Sequence, residues 1–126
     1  MKERDRVFHD ITYSVKPVPN KLNLLDMSTW IKPEAGEHHW LFDIIIHTLA
    51  CGQADKIEHL ERLIAFKYTN PDCPTLAALV IHGEGTCGKN LLVEQVLSTL
   101  FAGAVCSGTV DTLMGQFNTP LIGKVV

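Results

Sequence analysis

Eight residues in the second half of the chain have the types and spacing of a phosphate cradle: Gly83-Glu84-Gly85-Thr86-Cys87-Gly88-Lys89-Asn90. They read as G-x-x-x-x-G-K followed by Asn, where the usual pattern carries Ser or Thr. Glycines let a loop curl until its N–H groups converge on an anion, through conformations that other residues resist. Lys89 is placed to reach the terminal phosphates, and the next helix brings its positive N-terminal end to the same point. The residues expected to bind nucleotide are therefore Gly83, Gly85, Thr86, Cys87, Gly88, Lys89 and Asn90, with ATP and Mg²⁺ as the ligands. Asn90 takes the metal position, where its amide oxygen is a hard, neutral ligand. Glu84 would face phosphates if it turned inward, so it is expected to face solvent. Cys87, at a helix N-terminus, is expected to be a more acidic thiol than a free cysteine.

A loop of this kind works only between a buried strand and a helix, and the flanking residues have those patterns. Upstream, Leu76-Ala77-Ala78-Leu79-Val80-Ile81 is an unbroken apolar run, the signature of a parallel strand covered on both faces. Downstream, Val93, Val96, Leu97, Leu100 and Phe101 recur at helical spacing, with polar residues between them. Further back, residues 55–68 have an apolar stripe of Ile57, Leu60, Leu63 and Ile64, a Glu58–Arg62 pair at i,i+4, and Asp55-x-x-Glu58 in the form of a capping box. Residues 37–51 read as a helix that is apolar nearly all round, hence buried, with Gly52 as its stop. Residues 1–36 are weakly periodic and broken by Pro17, Pro19, Asn20, Pro33 and Gly36; alternation over 7–15 permits a short strand and 16–20 a turn. After the loop helix, residues 104–107 and 121–126 are expected as strands and 111–117 as a helix.

At 126 residues with 46% hydrophobic composition, the chain has enough apolar material for one core. Its net charge of −3 supplies no basic field for nucleic acid. The charged N-terminus is unlike a signal peptide, and the most apolar run, 40–51, is too short to span a bilayer and contains Asp43 and His47. Cys51, Cys73, Cys87 and Cys106 form no C-x-x-C pair and are expected as free thiols in a reducing cytoplasm. The histidines, His38 and His39 included, lack finger-like spacing to any cysteine and are expected to be structural or on the surface. Trp30 and Trp40 are expected as core anchors rather than base-stacking platforms. Asp111 follows Gly108-Thr109-Val110 and opens a helical stretch, so it is expected as a cap.

Several stretches resemble one family, the phage and plasmid primase–helicases of the superfamily 3 type, relatives of AAA+ ATPases. Lys21-Leu22-Asn23-Leu24 followed by Trp30 resembles the family's lead-in, and residues 60–71 resemble its helix before the P-loop strand. Gly85-Thr86-Cys87-Gly88-Lys89-Asn90 is similar to its G-T-G-K-N form of the Walker A motif, with Cys87 at a place the family gives to Gly. Gln116-Phe117-Asn118 and Leu121-Ile122-Gly123-Lys124 resemble the approach to the Walker B strand. The resemblance runs from about residue 20 onward. It implies an α/β fold: a partial P-loop NTPase (AAA+-like) core over 75–126, ending at the start of the Walker B strand, preceded by a helical segment over 37–74 and a strand-and-loop lead-in over 1–36. It further implies the ATP-binding portion of a replicative DNA helicase from a phage or mobile element, with no catalytic residue in this chain, DNA bound only by parts outside it, and hexamers among full-length relatives. The other expectations are a stand-alone, non-enzymatic mobile-element protein that dimerises through an open strand edge at 121–126, and, ranked last, a small P-loop kinase, for which the acids and lid are lacking.

Overall fold

An asparagine closes the N-terminal segment. In the computed structural model, which describes residues 7–74, 78–109, 111 and 124, strand β1 (Asp10–Thr12) pairs in parallel with β2 (Lys21–Asn23), Ile11 opposite Leu22. The link between them is shorter than the usual parallel crossover. It closes because the strands are brief and because Asn20 takes a left-handed φ of 59°. Asn23 then fastens the ends: its Oδ1 accepts from the N–H groups of Ser14 and Leu25, both at 3.1 Å, and its Nδ2 donates to the Ser14 carbonyl at 2.7 Å. A Lys21–Asp10 ion pair at 2.6 Å spans the ladder on its exposed side.

Helix α1 (Trp40–Leu49) starts at His39, whose Nδ1 accepts from the Leu41 N–H at 3.3 Å. Contrary to expectation, it is not buried all round: Ile45 and Ile46 are buried, whereas Trp40 is 65% and Ile44 54% exposed. Trp40 is therefore not a core anchor. Its neighbours lie on one side only, so the helix buries one stripe and leaves the other to solvent. The chain leaves α1 as expected at Gly52, in a Schellman turn: Cys51 N–H donates to the Thr48 carbonyl (3.1 Å) and Gly52 N–H to that of His47 (2.9 Å). Cys51 itself carries a left-handed φ of 52° there.

Helix α2 (Ala54–Thr69) forms over the segment with the clearest amphipathic pattern. Leu60 is buried, Ile57 and Ile64 pack against the same core, and the Arg62–Glu58 pair closes at 2.5 Å. The capping box at Asp55 does not form. The helix begins a residue earlier, with Gln53 as its cap and no side-chain hydrogen bond. Asp55 then sits in the first turn, where its charge favours the positive end of the helix. Asn70 ends the helix, donating from its backbone N–H to the Phe66 carbonyl at 2.8 Å, and Lys67 Nζ ties the exit by donating to the Cys73 carbonyl at 3.1 Å.

Of the strand expected over 76–81, residues 76 and 77 lie outside the described residues and the remainder is not seen as a strand. Residues 78–81 have no ladder partner among the described residues, and Leu79 and Val80 are 46% and 84% exposed. A run that apolar is buried only when strands flank it, and the described part of the molecule supplies none beside it. Residues 104–107 likewise form no strand, although Ala104 is buried. The helix expected over 111–117 and the edge strand expected over 121–126 lie outside the described residues, apart from Asp111 and Lys124.

The third helical segment has three parts: α3 (Lys89–Leu91), a π-helical stretch (Leu92–Leu97) and α4 (Ser98–Leu100). The reason for the wide middle is legible in the side chains. Leu92 and Leu97 are both buried, and they are five residues apart. In an α-helix five residues turn about 500°, which would leave the two leucines roughly 140° apart. Bonding from i to i+5 brings them to one side. Ser98 reinforces it, its Oγ donating to the Val93 carbonyl at 3.0 Å.

One core unites these parts: Leu25, Trp30, Ile45, Ile46, Ala50, Leu60, Leu92, Leu97, Phe101 and Ala104. Trp30 meets Phe101 edge-on at 5.1 Å between centroids, and Tyr68 tilts against both. Tyr68 also donates its hydroxyl to the Ile31 carbonyl. The lead-in is thus clamped onto the C-terminal end of the helix that begins at the glycine loop.

Candidate functional site

The loop residues turn back over the first turn of α3. Gly88 caps that helix with a left-handed φ of 89°, and Thr86 takes a φ of 65°. The first needs no Cβ; the second is uncommon for a β-branched residue. The exposed Thr86 donates its Oγ1 hydroxyl to the Gly85 carbonyl at 2.6 Å. Residues 85–91 line a hollow of ≈440 Å³. The N–H groups of Lys89, Asn90 and Leu91 belong to the first helical turn, so they have no acceptor within the helix.

Lys89 is the centre of the arrangement. Its ammonium donates to the Gly83 carbonyl at 2.8 Å, the Glu84 carbonyl at 2.6 Å and the Cys87 sulfur at 3.1 Å. Among the described residues it has no carboxylate partner. The hydrogen bond from Lys89, helped by its charge, holds the Cys87 thiol below its ordinary range. Gly83 lies under this pair: a Cβ built on it would stand 3.5 Å from Sγ and 3.8 Å from Nζ.

The structure therefore brings Gly83, Gly85, Thr86, Cys87, Gly88 and Lys89 into one turn. Asn90 is the next residue of the helix and is exposed. No group of three His, Cys, Asp or Glu side chains among the described residues is arranged to hold a metal. The four cysteines are free. Two participants were not legible in the sequence. The Glu84 carbonyl acts through the main chain, which residue types do not reveal. The Cys87–Lys89 contact follows from the left-handed Gly88 between them, and the C-G-K spacing is its only signal. Comparison with protein-family models, curated proteins and solved structures finds no match to this chain.

Proposed function

We propose that residues 83–90 bind the phosphates of Mg·ATP, and that the chain is the nucleotide-binding portion of a replicative DNA helicase of the primase–helicase type. The single observation behind the first half is the placement of Lys89: its ammonium is hydrogen-bonded across a glycine turn, and the residue lines a ≈440 Å³ hollow at the start of a helix. Charge-assisted hydrogen bonds of this kind are among the stronger contacts available to a phosphate oxygen. The helicase half rests on the resemblances around Lys21, Asn23, Trp30, residues 60–71 and the G-T-C-G-K-N sequence.

In this reading the first-turn N–H groups and Lys89 hold the phosphates, and Asn90 presents an exposed amide oxygen to Mg²⁺. Mg²⁺, when bound, neutralises charge on the phosphate oxygens. The chain is assigned binding and no catalytic residue. Calorimetric titration of Mg·ATP into wild type and Lys89→Ala tests it. Wild type is expected to show saturable binding that weakens by at least about tenfold in the variant, the loss of one charged hydrogen-bond donor. Equal affinity in both proteins would remove the basis of the assignment.

A further inference from the structure

An ammonium has three protons to donate and no more. Lys89 commits all three inside its own loop, to the carbonyls of Gly83 and Glu84 and to the sulfur of Cys87. A phosphate oxygen that engages Lys89 must displace at least one of them. The two carbonyls are neutral whatever the conditions. The sulfur is different: as a thiol it is a weak acceptor and is easily displaced, and as a thiolate it is a full negative charge. We propose that Cys87 is an internal competitor for Lys89, so that the loop's affinity for polyphosphate anions depends on the charge carried by that sulfur. The inference rests on the phosphate-binding reading above and adds the regulation of that site.

The geometry carries the argument. Sγ sits 3.1 Å from Nζ, and the pair stands together above Gly83. A charged sulfur would act twice, holding the ammonium back and repelling an anion beside it. Affinity then scales with the fraction of molecules in which Lys89 is free. Among the described residues, Lys89 is the one side chain that acts on the Cys87 sulfur, through its hydrogen bond and its charge, and the backbone N–H groups of Lys89 and Cys87 act in the same direction. The other titratable groups nearest in the chain, His82, Glu84 and Glu94, make no hydrogen bond or ion pair to the sulfur. Glu84, the loop's carboxylate, forms no ion pair with Lys89 among the described residues, which leaves the Cys87 sulfur as the ionisable side chain in contact with the ammonium.

The test compares wild type, Cys87→Ala and Cys87→Ser for Mg·ATP affinity by calorimetry at about pH 5.5 and about pH 9, so that the lower pH lies well under a thiol held below its ordinary range. Wild-type affinity is expected to fall roughly fivefold to tenfold as pH rises, the range of one charged hydrogen bond. The two variants are expected to change less than about twofold and to bind more tightly than wild type at the higher pH. Matching pH profiles in wild type and both variants would overturn the proposal while leaving the phosphate-binding reading intact. Absence of binding by wild type and variants alike would overturn both. An independent readout needs no nucleotide: the pH profile of Cys87 alkylation by iodoacetamide, resolved by peptide mass, in wild type and Lys89→Met. The midpoint is expected to move upward in the variant. An unmoved midpoint would show that Lys89 and Cys87 do not act as a pair, and the proposal would fall.

Discussion

At the scale of the residue, Phe101 and Trp30 carry much of the core. Phe101 is fully buried and meets Trp30 edge-on, the geometry that aromatic quadrupoles favour. Phe101→Ala is expected to cost about 3–5 kcal/mol, the usual range for emptying such a site, read as a lowered midpoint in urea. Trp30 is 4% exposed, and its indole N–H is buried with no acceptor among the described residues. An unmatched buried donor costs about 1–3 kcal/mol. Trp30→Phe removes that donor and keeps an aromatic ring, so it is expected to destabilise far less than Trp30→Ala in the same denaturation experiment. Single residues were unevenly legible. Trp30 was readable as a core anchor. Trp40 was not, because its apolar sequence neighbours suggest burial and only the packing shows that it lies 65% exposed.

At the scale of the element, helix ends decide stability. Cys51 holds a left-handed φ in the Schellman turn, a place that glycine fills without steric cost. Cys51→Gly is expected to stabilise the protein by up to about 1 kcal/mol, seen as a raised thermal midpoint. The N-terminal ladder responds to acid instead. Lys21, through its hydrogen bond to Asp10, holds that carboxyl below its ordinary value. A depressed carboxyl contributes to stability above its unfolded-state pKa, and that contribution is lost as pH falls through the lower folded value. Amide exchange in β1 and β2, after correction for intrinsic rates, is therefore expected to quicken as pH falls through the lower carboxylate range, and Asp10→Asn is expected to abolish the change. Elements with strong periodicity were the ones that could be read: the Ile57–Leu60–Ile64 stripe forms α2 within a residue of its expected limits. The π-helical stretch was hidden because Val93, Val96 and Leu97 satisfy α-helical spacing on paper, while the buried pair is Leu92 and Leu97.

At the scale of the whole molecule, the described residues form one core with apolar segments left outside it. Val80 at 84% exposure and Leu79 at 46% lie in an apolar run with no ladder partner among the described residues. Unpaired apolar backbone of this kind invites association. Static light scattering is expected to show mass rising with concentration, and Val80→Lys is expected to suppress the rise. The sequence placed α2, whose amphipathic stripe is a local pattern. It did not supply neighbours for the strand expected over 76–81, of which residues 78–81 have no ladder partner among the described residues, because burial of a strand is decided by what lies beside it. A run of alanine, leucine, valine and isoleucine states an appetite for neighbours and says nothing about whether they arrive.

The wide turn at Leu92–Leu97 has a consequence for aim. A helix transmits direction by residue count, each residue adding about 100° of rotation about the axis. Here the count between Lys89 and Phe101 includes one widened turn, so the helix holds a built-in phase offset between the lysine at one end and the aromatic anchor at the other. Removing one residue from the stretch would set Leu92 and Leu97 at ordinary α-helical spacing. The helix would become more regular, and with Phe101 still seated in the core, Lys89 would point elsewhere. The direction in which the loop faces is thus stored as an irregularity that begins within one turn of Lys89.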